Sequence, residues 1–186
     1  MAEGLAAAII DRFGRRHWEE YLALLDGFWK TVRAEIDGLR LDYQHVDLYQ
    51  DGLPVCGREL ELVKKAAAVG SVNHQLLLDL TTRGATLMGT EDPKLLLDEY
   101  RAMQAALGHP AGVAGPPEQA SGPPAHKETL SERDAYIAGR IDATLRPGRT
   151  GILFLGMMHN VESFLPADIV LTRLVPQGVK GAKKKP

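Results

Sequence analysis

The sequence predicts an α/β fold with a small, open, mostly parallel sheet of about four strands and helices on both faces. Three observations lead to this class. Apolar side chains recur every three or four residues in several long segments, a spacing typical of helices that bury one face. Short runs rich in β-forming residues lie between those segments. Strands that alternate with helices favour a parallel sheet.

The first half of the chain predicts three helices and two strands. An apolar stripe over 17–38 predicts a long helix that covers one face of the sheet. A run of β-forming residues over 41–49 ends at a turn, which predicts the first strand. A helix over 58–69 follows, and Ser71 can cap a second, shorter helix. The short apolar run 85–88 predicts the second strand.

The second half predicts two helices and two strands. Pro93 suits the first position of a helix that Asp92 caps. The segment Ser131–Asp134 has the spacing of a capping box and predicts the start of the next helix. The apolar run 151–155 is the clearest strand in the chain, and 168–175 predicts a fourth strand.

Two segments fall outside this pattern. Residues 108–127 contain five prolines and four glycines and one large apolar residue, so we expect a flexible insertion. Residues 178–186 form a basic tail that we expect to be solvated. Since the elements on both sides of the insertion are equally well formed, we predict a single domain over 1–186.

Composition narrows the function classes. The chain has 186 residues and a formal net charge of −2, which gives no overall field for binding nucleic acid or an anionic membrane. Its single cysteine excludes an internal disulfide and a four-cysteine zinc site. No segment has the pattern of a signal peptide or a membrane span. We therefore expect a cytoplasmic, bacterial-type protein with neither a nucleic-acid nor a membrane partner.

Polar residues follow each of the first three predicted strands. Asp51 follows the first, Glu91 the second and His159 the third. Ligands of open parallel sheets bind beyond the carboxyl ends of the strands, so these side chains should meet at one edge. Each also has a structural explanation, as a turn residue, a neighbour of a helix cap or a satisfied loop histidine. The convergence of the three side chains is stronger evidence for a functional site than any one of them alone.

The segment around Arg133 adds further candidates. A positive charge in a first helical turn is unfavourable to the helix dipole, so Arg133 needs a partner. Asp51, Glu91 or an anionic ligand can supply it. The predicted site is divided into catalytic and substrate-binding residues. The catalytic candidates are His159, Glu91, Asp51 and Glu132, and the substrate-binding candidates are Arg133, Asn160 and Thr90.

The segment 131–134 followed by an apolar strand and Gly156-Met-Met-His159 resembles the C-terminal motif of the TraB/Tiki-type superfamily. That superfamily includes erythromycin-esterase-like and ChaN-like proteins. The resemblance implies an α/β fold, and it implies that Glu132, Arg133 and His159 are site residues. Members include hydrolases and haem-binding proteins. The N-terminal Gly-Thr-x-His strand of the family is replaced here by the helix over 17–38.

Two functions follow as hypotheses. The first is a hydrolase in which His159 is the general base and Glu91 or Glu132 orients it or acts as acid. The second is a non-catalytic module that binds a small-molecule ligand or a partner. The cofactor is unknown, and we assign no metal ligand from the sequence. The broad apolar face of the first helix predicts a homodimer. Substitution of His159 or Glu91 is expected to abolish function with little loss of stability.

Overall fold

The computed structural model describes residues 10–108 and 124–174. The predicted insertion lies mostly, and the basic tail entirely, outside the described residues. The described part contains helices and a small open parallel sheet, which confirms the predicted α/β class. The helices are α1 (Arg15–Gly38), α2 (Glu59–Ala68), α3 (Val72–Thr82), α4 (Pro93–Gly108) and α5 (Pro124–Thr144). The strands are β1 (Val46–Gln50), β2 (Thr86–Met88) and β3 (Thr150–Phe154). Residues 10–13 are also helical, and Tyr43–His45 and Val161–Phe164 form short 3₁₀ helices.

The predicted fourth strand over 168–175 is wrong. The sheet has three strands in the part of the chain that the structure describes, and 168–174 is irregular there. Ile169 packs against the core, whereas Val170 is 92% exposed. A composition that suits a strand does not by itself produce one, because strand formation depends strongly on the tertiary context. Ile169 packs against the second core instead.

The predicted start of the last helix is also wrong. Helix α5 begins at Pro124, so Ser131 lies within it rather than at its N-terminus. The carboxylate of Asp134 accepts hydrogen bonds from outside the helix instead of capping it. A Ser-x-x-Asp segment has the same spacing at the start of a helix and inside one, so only tertiary contacts show which of the two positions it occupies.

The sheet has the order β2-β1-β3, and both strand pairs are parallel. Tyr49 of β1 lies between Met88 of β2 and Leu153 of β3. After β1 the chain forms β2 on one side of β1, and it then returns to form β3 on the other side. This reversal is a topological switch point, and in open α/β sheets it opens a crevice at the carboxyl ends of the strands.

The side chains on the two faces of β1 belong to two separate hydrophobic cores. Val46 and Leu48 pack with α1, α2 and α3 in the larger cluster, to which α1 contributes Ile36. Tyr49 faces the opposite side and packs with Ile137 of α5. This alternation is the period of two that a strand imposes. Helices therefore cover both faces of the sheet, as predicted.

Helix α1 is anchored mainly through its C-terminal half. Ile36 is fully buried, and Trp29 and Val32 pack against the larger core. Nearer its N-terminus, Leu22 is 44% exposed and Leu24 is 74% exposed. Within residues 10–108 and 124–174, no helix combines the length and apolar composition needed to cross a bilayer.

We propose that the N-terminal part of the apolar stripe of α1, formed by Trp18, Leu22 and Leu25, pairs with a second copy of the chain. Sedimentation velocity at micromolar concentration should then give a dimer, and Leu22→Glu should convert it to a monomer. Leu24→Glu is a matched control because two residues separate side chains by about 200° around a helix. A monomer for the unmodified chain, or equal effects of both variants, would contradict this interface.

Candidate functional site

The three strand ends meet beyond the carboxyl edge of the sheet. Asp51 follows β1 and His159 follows β3, on the two sides of the switch point. The Nε2 atom of His159 lies 3.3 Å from Oδ2 of Asp51. One ligand-type atom from each of Asp51, Glu91 and His159 lies within 4.8 Å of the others. The convergence expected from a parallel sheet is therefore present in the structure.

Backbone contacts fix the loop that carries Glu91. The N–H groups of Thr90 and Glu91 both donate to the carbonyl of Leu53, at 2.9 and 3.0 Å. The N–H of Val55 donates to the carbonyl of Glu91 at 2.9 Å. A Cβ atom on Gly89 would lie 2.8 Å from the Cα of Val55, so glycine permits the two loops to approach. Glu91 is consequently held with its side chain fully buried.

Arg133 of α5 joins the carboxylates of the site. Its Nη2 atom donates to Oδ1 of Asp51 at 2.7 Å and to Oε1 of Glu91 at 2.5 Å. Its Nε atom donates to Oε2 of Glu91 at 3.1 Å, and its Nη1 atom donates to Glu99 of α4 at 2.7 Å. The side chain of Arg133 is only 6% exposed. Of the partners that the sequence left open for Arg133, the structure provides Asp51 and Glu91 together.

His159 lies between two carboxylates. Its Nδ1 atom is 2.5 Å from Oδ1 of Asp134, and its Nε2 atom faces Asp51. The Oδ2 atom of Asp51 also accepts a hydrogen bond from the N–H of Gly156 at 3.2 Å. A Cβ on Gly156 would lie 3.0 Å from that oxygen, so the glycine lets Asp51 reach the β3 loop. The imidazole is 5% exposed, so its orientation is fixed by contacts on both sides.

Asp51 and Glu91, two of the three carboxyl groups that contact Arg133, have opposite pKa shifts. Burial alone would raise the pKa of Asp51, but the hydrogen bond and charge of His159, with the charge of Arg133, lower it to about 2. Burial raises the pKa of Glu91 above its ordinary value despite the hydrogen bond from Arg133. As the pH falls, Glu91 therefore takes up a proton before Asp51 does. Such divergence between neighbouring groups is how acid and base roles are separated in a site.

The pKa of His159 is raised above its ordinary value. The hydrogen bond to Asp51 raises it, burial lowers it, and the hydrogen bond to Asp134 raises it further. The nearby charge of Arg133 opposes the increase. Carboxylates on both sides therefore favour the imidazolium form of the ring.

The cluster has the residue types of a cation site, but it already contains a cation. Asp51, Glu91 and His159 form a group of potential donor atoms within the described residues. The guanidinium of Arg133 lies against both carboxylates, and every buried side-chain nitrogen or oxygen in the described part has a hydrogen-bond partner. The arrangement is thus complete with Arg133 as its positive charge, and we assign no metal to it.

The other predicted site residues have different positions. Thr90 is fully buried, and its hydroxyl accepts from the N–H of Gln50 and donates to the carbonyl of Met88. Asn160 is exposed, and its side chain donates to Ser163. Glu132 is exposed and lines a shallow surface pocket with Phe164. The structure therefore brings the side chains of Asp51, Glu91, Arg133 and His159 together. It leaves the side chains of these three residues outside that group, although the backbone N–H of Asn160 donates to the Asp134 carboxylate that contacts His159.

Sequence reasoning missed Asp134 and Glu99. Asp134 precedes Ile137 and Ile141 by three and seven residues, so it lies on the buried face of α5. An acidic side chain on an apolar helix face needs a polar partner, and that pattern could have identified Asp134. Glu99 lies on α4 with a side chain that is 25% exposed, and its spacing does not distinguish it from an ordinary surface acid.

Comparison with protein-family models, with curated proteins and with solved structures gives no match for this chain.

Proposed function

We propose that the chain is a hydrolase of small-molecule substrates that uses His159 for proton transfer. The observation that carries the proposal is the meeting of Asp51 and His159 at the switch point of the sheet, with a second carboxylate on the other side of the ring. An imidazole oriented by a carboxylate is the usual arrangement of a general base. The resemblance of residues 131–159 to TraB/Tiki-type proteins supports the same reaction class.

The chemistry assigns a different part to each group. Neutral His159 takes a proton from the attacking water through Nε2, and the ionised Asp51 stabilises the imidazolium that forms. When the ester bond breaks, the imidazolium returns the proton to the leaving alcohol oxygen, which regenerates the neutral ring. Because the side chain of Glu91 is fully buried, its part is to hold Arg133 and Asp51 in position. Arg133 uses its donors on carboxylates, so it organises the site rather than binding an anionic substrate. We also propose that the protein is cytoplasmic.

The alternative is a non-catalytic module that binds a small ligand or a partner. The low exposure of His159 and Glu91 supports it, because the network is internally satisfied without any ligand. The missing N-terminal Gly-Thr-x-His strand also supports it. The two proposals differ in whether a compound that binds the chain is also turned over.

Hydrolysis of a panel of chromogenic carboxylate and phosphate esters, followed against pH, tests the hydrolase. Since His159 acts as base only when neutral, and its pKa is raised, the rate should increase with pH beyond the range of an ordinary histidine. His45→Gln is a matched control, because His45 pairs with Asp42 on the exposed surface and should leave the rate unchanged. A ligand that raises the melting temperature but is never converted would support the binding module instead.

A further inference from the structure

One carboxylate on α5 contacts both His159 and the chain that follows it. The Oδ1 atom of Asp134 lies 2.5 Å from Nδ1 of His159. Its Oδ2 atom accepts a hydrogen bond from the N–H of Asn160 at 2.7 Å. The loop after β3 and the imidazole that it carries are therefore held by the same side chain.

Asp134 is itself fixed by helix packing. It is 3% exposed, and Ile137, Ala138 and Ile141 on the same face of α5 are buried in the second core. A side chain on a packed helix varies less in position than one on a loop. Asp134 therefore provides a fixed reference for His159, whereas Asp51 lies in a turn.

We infer that Asp134 is a positioning residue that keeps a proton on Nδ1 of His159 and leaves Nε2, which faces Asp51, as the nitrogen that exchanges protons. This inference rests on the proposed function. A neutral imidazole has a single N–H, and the shorter of its two contacts is with Asp134. The same arrangement prevents the ring from turning its working nitrogen away from the edge of the sheet.

The groups that face His159 come from three elements. Asp51 approaches from the loop after β1, Glu91 lies within 4.8 Å on the loop after β2, and Asp134 and Arg133 approach from α5. Asp51 and Asp134 favour the protonated ring, and Arg133 disfavours it. Removing the charge of Asp134 while keeping its shape should therefore lower the pKa of His159, and the N–H of the neutral ring should no longer be confined to Nδ1.

Nitrogen-15 NMR of the histidine side chains in the full chain tests this inference. Above the pKa of His159, the unmodified protein should show the tautomer protonated on Nδ1. Asp134→Asn should lower that pKa and mix the tautomers. Asp42→Asn removes the partner of exposed His45 and should leave the His159 resonances unchanged. An unchanged titration and tautomer in Asp134→Asn would overturn the inference.

Two further readouts keep the outcomes separate. If Asp134→Asn does not fold, an Nε2-protonated tautomer in the unmodified protein would still overturn the inference, and an Nδ1-protonated one would support it. If hydrolysis is found, Asp134→Asn should lower kcat and leave KM nearly unchanged. An altered titration without any turnover would uphold the positioning role of Asp134 and count against the hydrolase.

Discussion

Replacement of Arg133 by methionine is expected to destabilise the protein by about 3–5 kcal/mol, because it leaves buried carboxylates without their cation. Glu91 loses both of its contacts with the guanidinium, and its side chain is fully buried. Asp51 and Glu99 lose one contact each. Urea unfolding followed by circular dichroism, or the melting temperature, measures the loss.

Two further variants distinguish a buried charge from a general effect of losing arginine. Arg58→Met removes an exposed ion pair with Glu61 and should cost no more than about 1 kcal/mol. Combining Arg133→Met with Glu91→Gln should recover part of the stability, because it removes the uncompensated charge as well. A cost for Arg133→Met as small as that for Arg58→Met would show that the cluster does not depend on its guanidinium.

The strands show which parts of the fold the sequence determines. The predicted strand over 41–49 became β1 only from Val46, because Asp42 accepts a hydrogen bond from Gln44 and starts a 3₁₀ turn. The run 151–155 forms β3 with a shift of one residue. The segment 168–174 has a similar composition but pairs with no strand of the described sheet. Local composition thus predicts the ability to form a strand, whereas pairing depends on the space left by the rest of the chain.

The site was predictable where topology alone determines it. Asp51, Glu91 and His159 all follow strands, and one assumption, a parallel sheet, places them at the same edge. The contribution of Asp134 depends on how α5 rotates over the sheet, which the strand pattern does not specify. The sequence predicts that substitution of His159 or Glu91 abolishes function with little loss of stability, because loop residues at a sheet edge contribute little packing. The structure instead leads us to expect a loss of stability as well, because the side chains of Glu91 and His159 are almost fully buried and joined to their neighbours by ion pairs.

Substitution of His159 is therefore expected to affect both function and stability, to degrees that depend on the replacement. His159→Gln should lower turnover by about 10²–10⁴-fold, because an amide cannot take up the proton. Its amide group can still donate to Asp134, so its stability should exceed that of His159→Ala. His159→Ala leaves Asp134 buried with one of its two partners removed. Turnover of the best ester and the urea midpoint of each variant measure the two effects.

Leu48→Ala provides the opposite control. Leu48 lies in the central strand, fully buried between Leu87 and Ile152 of the neighbouring strands. Its truncation should cost about 2–5 kcal/mol, while the molecules that remain folded keep their turnover. If His159→Gln behaves like Leu48→Ala, with stability lost and turnover per folded molecule unchanged, His159 only holds the loop after β3. Proton transfer at Nε2 requires the reverse, with most of the turnover lost and most of the stability retained.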